Sequence, residues 1–182
     1  MKIRSILILM AFSALFFACA ESPYHQVTAE YEAGDQTLIL DVPVKRQASG
    51  PCCGSACLAM VLSYWGLDPA AVSAVAGGPC PKEGYSGGEL ADLARSVGYT
   101  ARVYTSSFED LEAQVVATRP VIVMLGGEGR RHFLVVVGLS RDRSRVIMND
   151  PTSGRVFLET ADFRERWRIS ANFALLVLPK AG

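Results

Sequence analysis

Histidine is scarce in this 182-residue chain: there are two, His25 and His132. Chemistry that needs an imidazole must use one of them. An excess of one charge is also missing. Lys plus Arg number 18, Asp plus Glu number 18, and the formal net charge is zero. No basic stripe runs along the chain, so nothing points to a nucleic-acid partner. After residue 20 no stretch is apolar for the length of a membrane span. Repeats and low-complexity segments are lacking too, and the length suits one domain plus extras. What is abundant is apolar side chain: half the residues are hydrophobic and a fifth are charged, enough for a sizeable core.

The first twenty residues stand apart. Lys2 and Arg4 precede an apolar run from Ile6 to Phe17, and small residues follow. This is the pattern of a bacterial secretory signal spanning residues 1–18, and it implies export to an oxidising compartment. Cleavage before Cys19 would make that cysteine the lipid-bearing first residue of a lipoprotein. Cleavage after Ala20, at an A-x-A site, would release a soluble periplasmic protein instead. The favoured expectation is a lipoprotein of the periplasm or outer membrane, touching the membrane through its N-terminal lipid anchor only. Residues 19–36 are polar without a clear period and read as a tether.

The remaining chain, 37–180, is organised around QASGPCCGSACLAMVLSYW, residues 47–65. Turn residues come first. Then Cys53-Gly54 leads an apolar run with helical spacing on nearly every side, the mark of a buried helix. A cysteine at the head of such a helix meets unpaired N–H groups and the positive end of the macrodipole. Both stabilise thiolate over thiol, and the thiolate is the nucleophile.

A short β-rich run, 37–44, precedes this helix. After it, Gly66 stops the helix and Asp68-Pro69 starts another over 70–75. A Gly/Pro-rich loop fills 77–88. Helices are expected over 89–97 and, capped by Ser107, over 108–117, with a strand near 101–104 between them. The second half changes period. Segments 120–125, 132–139, 145–150, 155–158 and 172–178 are β-branched and apolar, separated by Gly, Asp and Ser turns. They read as a twisted antiparallel sheet with covered faces. Helices first and strands second give an α+β fold.

His132 opens the most apolar strand, and Asp150 ends the next one, in Asn149-Asp150-Pro151. If those strands form a hairpin, Asp150 lies near His132 and can hold one ring nitrogen while the other faces a thiol. Arg130 and Arg131 precede the histidine and read more readily as solvated charges than as binders of an acidic substrate.

The order Gln47, Cys53-Gly54, Ala56-Cys57-Leu58-Ala59-Met60, Tyr64-Trp65-Gly66, then His132-Phe133, Val135-Val136-Val137-Gly138, Asp150-Pro151, Gly154, Phe163 and Trp167 resembles the bacteriocin-processing peptidases. These are papain-like cysteine peptidases that cut leader peptides after a double glycine. The resemblance covers residues 40–180. It implies a papain-like fold, with Cys53 as nucleophile, His132 as general base and acid, and Asp150 as the orienting residue. Gln47 and the Cys53 N–H would be oxyanion donors. The substrate would be a peptide or protein, with no cofactor and no metal. Two features depart from the family. Cys52 stands where Asp is common, and no transporter accompanies the domain.

Two other readings stay open. One is a binding module of the same fold with weak or lost activity, or a papain-like acyl transferase. The other gathers Cys52, Cys53, Cys57 and Cys80 around zinc, although Cys-Cys-x3-Cys lacks the paired C-x2-C spacing of structural sites. In an oxidising compartment Cys53 must stay free to react, and Cys57 is expected to be buried. That leaves a Cys52–Cys80 disulfide, which would also account for the cysteine at position 52, with Cys57–Cys80 as the alternative.

Overall fold

The computed structural model describes residues 24–27, 38–48, 50–127 and 130–180. The expected signal peptide and Cys19 lie outside the described residues, as do residues 128–129 of the turn before His132.

Three helices come early: α1 (Cys53–Tyr64), α2 (Pro69–Gly77) and α3 (Gly87–Ser96). Asp68 caps α2 through Ala70 N–H at 2.9 Å, with Pro69 at the first helical position, where its missing N–H costs nothing. Ser86 and Glu89 form a reciprocal capping box that starts α3 two residues before the sequence suggests. Strand β3 (Tyr99–Thr105) and α4 (Phe108–Val116) follow, the latter capped by Ser107. Then come β4 (Val121–Gly127), β5 (Arg130–Leu139), β6 (Arg145–Asp150), β7 (Gly154–Glu159), α5 (Thr160–Ile169) and β8 (Phe173–Pro179).

Two short strands precede all of these. β1 (His25–Gln26) pairs with β7, and β2 (Leu38–Ile39) pairs with the end of β5. The described strands form an eight-stranded antiparallel sheet in the order β1-β7-β6-β5-β4-β8-β3, with β2 against β5. β4 pairs with β5 only as far as Val121 opposite Val136, which leaves residues 138–139 of β5 for β2, and Gly138 admits it: a Cβ would strike the Leu38 carbonyl.

The strands read as continuous apolar runs because both faces of the sheet are covered. Ile122, Val135 and Val137 belong to one cluster, with Leu58, Leu62 and Leu90 of α1 and α3. Their strand neighbours Val121, Val123, Leu134 and Val136 belong to a second cluster, with Phe108, Leu111 and Val115 of α4 and Phe163 and Trp167 of α5. The fold is α+β with a papain-like arrangement. Helices come mainly first and strands mainly second, as expected: the strand expected near 101–104 is β3 between the helices, while α5 falls among the strands and the helices divide between two faces. The expected strand over 37–44 is reduced to Leu38–Ile39, and the tether contributes β1. Among the described residues no helix is long and apolar enough to cross a membrane.

Candidate active site

Residues 54–62 of α1 are all buried, so the helix is a rod driven through the core, with half-buried Cys53 at its head. Gly54 is needed at that point. A Cβ there would lie 3.0 Å from Leu90 Cδ1 and 3.3 Å from Phe133 Cδ2, so it would crowd the close approach of the helix end to α3 and β5. No side chain caps the first turn and none of its residues is acidic. Its N–H groups and the helix dipole therefore act on whatever occupies the surface beside Cys53.

His132 lies near the start of β5. The β5–β6 register pairs Val135 with Asn149, which sets Asp150 diagonally across from His132. His132 Nε2 is 3.0 Å from Asp150 Oδ1. The carboxylate also accepts the N–H groups of Thr152 (2.6 Å) and Ser153 (3.2 Å), which fix its rotamer. Asn149, fully buried, donates to Val42 O at 2.8 Å and holds the strand end beneath it. With Nε2 turned to Asp150, the other ring nitrogen is left for Cys53, whose thiol and the imidazole shift one another's pKa; Cys53 Sγ also lies 4.0 Å from Pro51 O.

The electrostatics follow from this order. Burial pushes the Cys53 thiol up, but the His132 side chain, the Phe133 N–H, the imidazolium charge and the Gly54 N–H outweigh it. The thiol sits below its ordinary value. Burial pulls His132 down, but hydrogen bonds and charge from Asp150 and Cys53 push it up to about 9. Burial raises Asp150, and the His132 contact with the two turn N–H groups brings it below the usual carboxylate value. The combination favours a thiolate–imidazolium pair.

Gln47 lines the same cleft. Its backbone N–H donates to Pro151 O at 3.0 Å, and the guanidinium of Arg46 donates to Thr152 O, so residues 46–47 are stitched to the turn that carries Asp150. One hydrogen of the Gln47 amide goes to Gly50 O at 2.9 Å. Its Oε1 is buried without a hydrogen-bond partner.

Cys52 and Cys80 are joined, with Cα atoms 5.8 Å apart, while Cys53 and Cys57 are free thiols. Pairing removes two sulfurs from the zinc alternative. Cys57 is fully buried, and its thiol donates to Phe133 O at 3.2 Å; burial pushes its pKa well up. Among the described residues no group of three or more His, Cys, Asp or Glu could hold a metal ion.

The cleft in front of Cys53 and His132 has a volume of about 1120 Å³, above the ~300–1,000 Å³ of common small-molecule pockets. The loop 81–86 and the start of α3 form one wall. Arg130 to Phe133 form the other, with Met124 and Phe173 at its base. Sequence reasoning missed two supports of the site, the Arg46–Thr152 stitch and the Phe133 N–H. Neither has a motif, because each depends on a backbone group that only the fold brings into place.

Solved structures share this architecture. A double glycine motif protease from an AMS/PCAT transporter, determined in complex with the leader peptide, is 25% identical over 78% of this chain and 94% of that one, with a TM-score of 0.62. A putative C39-like peptidase from Bacillus anthracis is 19% identical over 81% and 100%, with a TM-score of 0.66. The peptidase domain of Streptococcus ComA, a bifunctional ABC transporter, is 18% identical over 76% and 99%, with a TM-score of 0.63. No curated protein matches the chain significantly. The family model for C39 peptidases matches residues 41–182, a span that holds Gln47, Cys53, His132 and Asp150, and the chain belongs to the peptidase C39 family.

Proposed function

We propose that this C39 domain is an active cysteine peptidase of the bacterial cell envelope, hydrolysing a peptide bond. The observation that carries the reading is His132 held between the Cys53 thiol and the Asp150 carboxylate. In this reading the Cys53 thiolate attacks the scissile carbonyl carbon. Negative charge then develops on its oxygen, next to the Cys53 N–H and the remaining amide hydrogen of Gln47. The imidazolium of His132 donates its proton to the departing amine, and a thioester remains on Cys53. Water attacks the thioester, His132 takes the water proton, and the acid product leaves with the free thiolate restored. Asp150 keeps the ring oriented throughout. Peptide substrates accord with the neighbour that was determined with a leader peptide bound. The sequence of the first twenty residues supports export and a lipid on Cys19.

The test is a mixture of synthetic peptides incubated with the full chain and with Cys53→Ala, products being read by mass spectrometry. Cleavage by the intact protein, absent in the variant, and an intact-mass adduct matching an acyl group on Cys53 are expected. Cleavage that survives in Cys53→Ala sinks the assignment. A protein that binds peptides but cleaves none would be the binding module instead.

A further inference from the structure

Most of the described ion pairs are ordinary surface pairs: Arg95, Arg143, Arg145 and Arg164 each meet a carboxylate. Arg130 and Arg131 do not. Both are exposed, both line the cleft, and among the described residues neither has an ion pair or side-chain hydrogen bond. They stand directly before His132 on β5. The other charges on the cleft offset this pair only in part. Glu89 is committed to its capping box, accepting Ser86 N–H at 2.7 Å. On the facing loop Lys82 and Glu83 offset one another. The cleft thus carries two guanidinium groups beside a Cys53–His132–Asp150 group whose imidazolium is already balanced by the thiolate and the carboxylate.

Their position gives the direction of the substrate. His132 must deliver its proton to the departing amine, so the leaving segment passes on the His132 side, along the strand that bears Arg130 and Arg131. A guanidinium presents a planar fork of donors that matches a carboxylate. We infer that Arg130 and Arg131 form a subsite for acidic side chains of the substrate, within the first few residues after the scissile bond. This rests on the peptidase reading and adds a substrate class to it.

Alkylation of Cys53 tests the cations without needing a substrate. Iodoacetate is an anion, and iodoacetamide is its neutral counterpart and serves as the reference. The ratio of the two rates at Cys53, followed by peptide mapping, is compared between the full chain and R130Q/R131Q. A unit charge some 8 Å away changes the local concentration of an anion roughly twofold to threefold even at the dielectric constant of water. The ratio should fall about fivefold in the double variant at low ionic strength, and the difference should largely vanish in 1 M salt. R130E/R131E should lower it further. The iodoacetamide rate shows in the same sample whether the Cys53–His132 pair is intact. Paired peptides with Glu or Gln just after the cut bond give the second arm. Glu should be favoured several-fold in kcat/KM, and the preference should invert in R130E/R131E.

An iodoacetate ratio identical in the full chain and both variants would overturn the subsite, as would cleavage indifferent to Glu or Gln. The peptidase reading would survive either result. If the ratio responds but no peptide is ever cut, the peptidase reading fails while the anion-attracting pair stands.

Discussion

Removing the Cys52–Cys80 link should separate the stability of the fold from the shape of the cleft. The bridge spans a sequence separation of 28, so it closes a loop of 29 residues counting both ends. On the chain-entropy model such a loop stabilises by about 3–4 kcal/mol through its restriction of the unfolded chain. For a domain of this size, 1 kcal/mol moves Tm by roughly 2–4 °C. Cys52→Ala/Cys80→Ala, which leaves Cys53 and Cys57 untouched, should therefore lower Tm by roughly 6–16 °C. Calorimetry or thermal circular dichroism reads it directly. The second effect is local. The bridge ties the 77–88 loop to the residue before α1, where Gly84 already packs on Pro51 and Tyr85 Oη donates to Pro79 O at 2.7 Å. That loop is a wall of the cleft. Freed, it must be ordered again each time a substrate binds, at about 1.4 kcal/mol or a tenfold rise in KM. The value of kcat should change little, since none of the atoms of the proposed chemistry has moved. A Tm change below about 2 °C would refute the entropic account. A collapse of kcat with KM intact would refute the view that the loop serves binding rather than catalysis.

Other perturbations bear on the reacting groups. Gln47→Ala should lower kcat by roughly a hundredfold to a thousandfold, the usual effect of deleting one oxyanion donor, and Gln47→Glu should be at least as damaging; near-normal kcat in both would leave Gln47 a structural link only. The rate should follow the thiolate–imidazolium pair, rising below the ordinary thiol range and falling as pH passes about 9, where His132 loses its proton; a profile with its upper limb near 6.5 would contradict the raised His132. His132→Ala should return the Cys53 titration toward its free value of about 8.5, measured by the pH dependence of alkylation, with Asp150→Asn causing a smaller change. The same groups set a stability profile. The raised His132 stabilises the fold fully below about 6.5, and this is lost as pH rises through about 9; the depressed Asp150 stabilises above its ordinary value near 3.9, and this is lost as pH falls below it. Chemical denaturation of Asp150→Asn across pH 3–10 should show both slopes flattened.

Some of this molecule could be read from its letters and some could not. Helix α1 announced itself because it is apolar on every side, which only a buried helix tolerates. The strands were legible as continuous apolar runs for the related reason that both sheet faces are covered. The approach of Asp150 to His132 followed from two adjacent strands and a short turn. Helix α5 was not legible: half of TADFRERWRI is charged, and only Phe163 and Trp167, one turn apart, are buried in the core. Its amphipathic signal is two residues wide. β1 offers two residues of pairing and β2 two more, too few for any alternation to show. The division of the helices between two faces was hidden as well, since periodicity says that a face is buried but not against what. Around the site, the types and order of the residues were visible, whereas the backbone donors from Phe133, Thr152 and Ser153 carry no sequence signature.

The stitch between residues 46–47 and the 151–152 turn has a mechanical consequence. Gln47 and Asp150 are far apart in sequence, yet Gln47 N–H to Pro151 O and Arg46 to Thr152 O make their supports a single strap. Its Arg46 clasp is exposed to water, unlike the sheet and helices it spans. Heat or mild denaturant should slip this strap before the core melts, and both supports would then let go together. Inactivation would precede unfolding, and lesions in the two arms would not add, because each already loosens the other.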